Sequence, residues 1–133
     1  MNNKGFTLIE LILVIAIIAL LSLVFTPNVL NLINKNKTDA YNATIDTVIS
    51  AAENYIANNR YNDVVLNNIK KCDGTGFDIA LNTLVDSGDL SKIPKDMCTD
   101  ELLSNTSVTV TFDCSKKEFS YKFLDKIENC KNK

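Results

Sequence analysis

The chain of 133 residues contains no histidine at all. It also lacks a Gly-x-Ser-x-Gly elbow and a glycine-rich phosphate loop of the P-loop type, so the usual routes to hydrolysis and nucleotide binding are missing. None of its cysteines falls in a Cys-x-x-Cys pair, the close spacing that a four-thiolate zinc site generally uses. A net charge of −2 leaves no global basic field to hold a polyanion such as DNA. Catalysis, a cofactor, a bound metal and direct nucleic-acid binding are therefore not expected.

Cys72, Cys98, Cys114 and Cys130 make an even set, which in a short exported chain reads as a disulfide framework. The chain from about Arg60 onward is roughly 70 residues, a size at which one core is marginal and staples are common. Three pairings are open in principle. The preferred one joins Cys98 to Cys114 and Cys72 to Cys130, the second bridge tying the C-terminal residues back to the domain. Asp73, Asp78, Asp100 and Glu101 are conceivable calcium ligands, but Asp73-Gly74-Thr75-Gly76-Phe77-Asp78 lacks the alternating acids of an EF-hand and reads as a solvated loop. Lys116, Lys117, Lys122, Lys126, Lys131 and Lys133 are diluted by Asp113, Glu118, Asp125 and Glu128 and read as a solvated face. Asn42-Ala43-Thr44 and Asn105-Thr106-Ser107 match the glycosylation sequon, a pattern of little weight here.

What the chain does have is a long apolar run. Residues 6–25 would span ~30 Å as a helix, the thickness of a bilayer's hydrocarbon core. This is not the pattern of an ordinary secretory signal, whose apolar region is shorter and precedes an A-x-A-like cleavage site. Here the small residue, Gly5, lies before the run. A cut after Gly5 removes a short polar leader and leaves the helix on the mature chain with the free amine of Phe6. Glu10 sits inside this segment, where a carboxylate costs about 2.5–3.5 kcal/mol at the bilayer centre. A charge-assisted pair with an amine in a dry helical bundle recovers much of that cost. Thr7 stands where a hydroxyl caps the first backbone amides of a helix.

Lys4-Gly5-Phe6-Thr7-Leu8-Ile9-Glu10, followed by the apolar helix and then Pro27, resembles the class III signal and N-terminal helix of type IV pilins and the related pseudopilins. The likeness runs over about residues 1–55 and is most specific over 4–10. It implies cleavage between Gly5 and Phe6 by a prepilin peptidase, and methylation of the new amine on Phe6. It also implies a role for Glu10 in processing or assembly, its carboxylate meeting the N-terminal amine of a neighbouring subunit. The partners implied are that peptidase, other pilin subunits in a homo- or hetero-filament, a membrane platform protein and an assembly ATPase. The function implied is a structural filament subunit, held in the inner or cytoplasmic membrane by a single pass with its C-terminal domain outside, then built into an extracellular filament. A pseudopilin of a type II secretion or competence system shares the same N-terminal logic. A single-pass anchored adhesin that never polymerises would gain nothing from Glu10.

The expected fold is α+β and pilin-like: a long N-terminal helix packed on a small C-terminal antiparallel sheet. Residues 1–5 form the leader, 6–27 the transmembrane and assembly helix, 28–60 its amphipathic half and 61–133 a disulfide-stapled globular domain. Pro27 is expected to bend the helix rather than end it. Beyond it Tyr41, Ile45, Val48, Ile49, Ala52, Tyr55 and Ile56 recur at steps of three and four, an apolar stripe. A short helical turn is expected within 62–71, and a second short helix carrying Phe77, Leu81, Leu84 and Val85 that stops at Gly88. Strict alternation predicts strands over 107–112 and 119–123, joined as a hairpin by Ser115-Lys116-Lys117.

Overall fold

The computed structural model describes residues 5–133. Helix α1, Leu8–Asn58, is 51 residues long and runs unbroken through the apolar and amphipathic halves. Its axis turns by 44° between Leu8–Val24 and Pro27–Asn58. Proline removes one backbone donor and crowds the preceding turn, the commonest cause of so sharp a bend. The helix stops at Asn59, whose amide donates to the Tyr55 carbonyl at 2.9 Å.

Helix α2, Asp63–Lys71, is capped by Asn62, whose side chain accepts from the Val64 amide at 3.0 Å. Asp63 in its first turn and Lys70 and Lys71 in its last complement the helix dipole. Strand β1, Phe77–Ala80, leads straight into helix α3, Leu81–Asp86, which ends before Gly88 at φ 84°. Strand β2, Ser107–Asp113, and strand β3, Glu118–Lys122, form the expected hairpin. In its turn the Asp113 carboxylate accepts from the Ser115 amide at 2.9 Å and the Lys116 amide at 3.2 Å.

The sheet has three strands rather than two, in the order β1-β2-β3, with both pairings antiparallel. The short helix expected to begin at Phe77 begins at Leu81 instead, because Phe77 to Ala80 pair with β2 from Val110 to Ser107. Phe77 and Ile79 point inward while Asp78 and Ala80 face solvent, a period of two that helical spacing had masked. Val110 faces Tyr121 and Phe112 faces Phe119 across the hairpin, so the two apolar sets lie together as expected. Phe112 and Phe119 ring centroids are 5.0 Å apart.

The core forms where α1 crosses this sheet. Tyr41, Ile45, Val48, Ala51, Ala52 and Ile56 bury one stripe of α1 against Val108, Val110, Leu81, Leu84 and Phe123. Full burial of Val or Leu side chains such as these stabilises by ~1.5–3 kcal/mol each. All of this lies beyond residue 37. Upstream, the described apolar side chains of α1 are exposed.

The cysteine pairing corrects the preferred one: Cys72 bonds Cys114 and Cys98 bonds Cys130, with Cα separations of 5.8 and 5.3 Å. Strand β1 is the reason. It starts five residues after Cys72 and runs antiparallel to β2, so the far end of β2, and Cys114 after it, lies beside Cys72. Strand β3 then returns the chain to the opposite end of the sheet, where Cys130 meets Cys98.

Candidate functional site

Gly5, Phe6 and Thr7 precede the helix in non-helical conformation, and all three are exposed. Thr7 is the N-cap: its hydroxyl accepts from the Glu10 amide at 3.3 Å, and its carbonyl accepts from the amides of Glu10 and Leu11 at 3.1 Å. The Gly5–Phe6 peptide bond therefore lies outside the first helical turn, and a Cβ added at Gly5 would meet nothing within 4 Å. Residues 1–4 of the leader, including Lys4 of the motif, lie outside the described residues. Glu10 falls in the first turn, four residues after Phe6, with an exposed side chain that forms no ion pair among the described residues.

Around this acid the helix is bare. Phe6 is 81% exposed, and the large apolar side chains described from Leu8 to Val24 are all solvent-facing in the isolated chain. Neither Leu8–Val24 nor Pro27–Asn58 is by itself long and apolar enough to cross a membrane; as a pair bent at Pro27 they meet that requirement by length and composition.

The expected site residues thus form two groups. Gly5 and Phe6 lead into the bare end of α1, which carries Glu10 and Pro27, whereas Cys72, Cys98, Cys114 and Cys130 lie in the globular end as two bridges. The acids weighed as calcium ligands are dispersed. Asp73 is held by Thr75, whose hydroxyl and amide keep its carboxyl below the usual range. Asp78 instead accepts from the Thr109 hydroxyl at 2.7 Å. No three His, Cys, Asp or Glu side chains gather to hold a metal ion among the described residues.

A set of polar fasteners escapes sequence reasoning altogether. On α1, Thr38, Asn42 and Asp46 stand one turn apart and hold the C-terminal segment. The Cys130 amide donates to the Thr38 hydroxyl at 3.1 Å. Asn42 accepts from the Ile127 amide at 3.0 Å and donates to its carbonyl at 2.9 Å. Lys126 pairs with Asp46 at 2.8 Å. Lys133 pairs with the buried carboxylate of Asp96 and lies 4.0 Å above the Tyr41 ring centroid. Two of the lysines read as a solvated face are therefore fastened to the domain. The helical spacing of Thr38, Asn42 and Asp46 was visible in the sequence, but their partners 80 to 92 residues away were not.

Residues 1–26 match the prokaryotic N-terminal methylation motif family. Over 61 residues the chain is 44% identical to the type IV wide pilus major component PilA4 of Thermus thermophilus, a match covering 45% of this chain and 47% of that protein. The shared stretch spans about half of each. No solved structure matches the chain. A capped helix start carrying Glu10 after Gly5-Phe6, the matching N-terminal motif, and a long helix bearing a small antiparallel sheet agree with one another: the chain carries the prokaryotic N-terminal methylation motif and is similar, over about half its length, to a type IV pilus component.

Proposed function

We propose that the chain is a structural subunit of a type IV pilus-like filament, made as a precursor. In this reading a prepilin peptidase cuts between Gly5 and Phe6, the new amine on Phe6 is methylated, and the helix over 6–27 holds the subunit in the membrane until it joins a filament by helix bundling. The globular part over 61–133 stands outside. The observation that carries the reading is the bare apolar helix with a single carboxylate one turn from the future N-terminus. A peptidase needs its substrate bond outside regular helix, and Gly5–Phe6 precedes the Thr7 cap. Once cut, the Phe6 amine of one subunit and the Glu10 carboxylate of another are opposite charges on the same kind of surface. In a lipid-like bundle each rewards the register that joins them, since one left alone is strongly unfavourable.

The reading is of assembly, with no reaction assigned to the chain itself. Sibling subunits, a platform protein and an assembly ATPase are the partners it requires. The named relative is a component of a pilus, which favours a surface pilus over a pseudopilus as the destination.

The test is Glu10→Ala in the producing cell. Processing, read as the mass of the membrane-held chain, should be unchanged, while the chain should vanish from sheared surface filaments. Normal filament incorporation would overturn the pairing. Replacing Gly5 with a bulky residue should leave the leader attached, and an unchanged mature mass would remove the peptidase assignment.

A further inference from the structure

The bare apolar part of α1 is longer than a bilayer is thick. From Leu8 to Ile33 it runs about 39 Å at 1.5 Å per residue, against a hydrocarbon core of ~30 Å. If residues 6–25 fill that core, the helix emerges close to Pro27 with Val29, Leu30, Leu32 and Ile33 still exposed.

The character of the helix changes at the same point. Before Pro27 the apolar residues surround the axis. Between 28 and 35 they separate: at ~100° per residue, Val29, Leu30, Leu32 and Ile33 fall within an arc of roughly 160°, and Asn28, Asn31, Asn34 and Lys35 within the opposite arc of about 120°. An all-round apolar helix suits the interior of a bilayer, and a two-faced one suits its surface. The 44° turn between Leu8–Val24 and Pro27–Asn58 carries the second segment away from the direction of the first.

The polar arc has its own surroundings. Asn31, Asn34, Lys35 and Asp39 line a groove of about 390 Å³ with Glu128 and Lys131 of the C-terminal segment. It carries two cations and two carboxylates. That mixture complements a headgroup bearing a phosphate and an ammonium together, and offers no excess of positive charge for an anionic surface.

We infer that residues 28–35 are an interfacial segment, lying in the outer headgroup layer of a phospholipid bilayer and seating the globular domain on it before assembly. The inference rests on the membrane-held precursor proposed above. The apolar arc enters the acyl boundary, and the polar groove meets zwitterionic headgroups. The subunit waiting in the membrane is therefore held at two levels, by the span and by this surface segment.

The chain has no tryptophan, so a single introduced one reports its own depth. Leu32→Trp, Asn31→Trp and Ile15→Trp variants of the full chain would be reconstituted in phosphatidylethanolamine and phosphatidylcholine vesicles, with and without brominated acyl chains. Trp at 15 should lose most of its emission to the brominated lipid, and Trp at 32 a smaller but clear share with a blue-shifted maximum. Trp at 31 should be quenched by aqueous acrylamide instead. If Trp at 15 is not quenched by lipid, the membrane-held reading itself fails. If it is quenched but Trp at 32 is open to acrylamide, the span stands and the interfacial segment is overturned. Trp at 32 shielded from both quenchers would mean that a second copy covers the face, and equal lipid quenching at 31 and 32 would mean an uninterrupted span; each also overturns the inference.

Discussion

At Gly76 the chain passes so close to β2 that an added Cβ would lie 2.8 Å from the Val110 carbonyl oxygen and 2.7 Å from the Thr111 methyl. Neither backbone nor a β-branched side chain yields easily, so Gly76→Ala should destabilise the domain by about 1–3 kcal/mol, the scale of an overpacked site. Chemical denaturation of the region after the apolar helix reads this directly, and an unchanged midpoint would mean β1 is not pressed on β2 as described. Tyr121 sets a different condition. Its hydroxyl pKa is raised, first by burial and then by the nearby Glu53 carboxylate, with Arg60 opposing. A raised folded-state value means the protonated form is favoured by folding. The stability it contributes is present below the unfolded value near 10 and is lost as pH rises through the folded one. Tyr121→Phe should therefore flatten the fall of stability with pH in that alkaline window; an equally steep fall in the variant would place its origin elsewhere.

Elements are joined by fasteners that cross long stretches of chain. The C-terminal segment runs along α1 through Thr38, Asn42 and Asp46 and closes with the Cys98–Cys130 bridge. Of these contacts the Lys126–Asp46 pair is exposed on both sides and contributes little. Asn42 matters more, because it substitutes for a backbone partner at both the amide and the carbonyl of Ile127. Asn42→Ala should cost about 1–3 kcal/mol and speed hydrogen exchange at the Ile127 and Cys130 amides. Protection unchanged at both amides would show that the disulfide alone holds the segment. Asn42 is also the first residue of a sequon, and its amide nitrogen is committed to this contact.

For the whole molecule, two bridges divide the stapling between opposite ends of the sheet. In the chain-entropy account, closing loops of 32 and 42 residues stabilises by about 4 kcal/mol each. Replacing Cys98 and Cys130 with serine should loosen the C-terminal segment and the middle of α1. Replacing Cys72 and Cys114 should loosen the corner of α2 and β2, and peptide mapping without reduction should recover these two pairs. Recovery of Cys98 linked to Cys114 would overturn the sheet register that brings Cys72 to Cys114. Much of the architecture was legible beforehand because its signals are local. The Thr7 cap, the Gly5-Phe6 junction and Glu10 lie within two helical turns, the stripe from Tyr41 to Ile56 follows one helical period, and the hairpin strands alternate over five to seven residues. Strand β1 was not legible, since Phe77 and Leu81 fit a helical spacing as well as Phe77 and Ile79 fit an extended one, and four residues are too few to choose. Its hydrogen bonds to β2 chose. The Cys72–Cys114 bridge followed from that choice, while the Cys98–Cys130 bridge, the burial of Asp96 under Lys133 and the seating of Ile127 on Asn42 are further long-range contacts. Such contacts join residues 32 to 85 positions apart, and no local period of a chain records which distant segment will close on it.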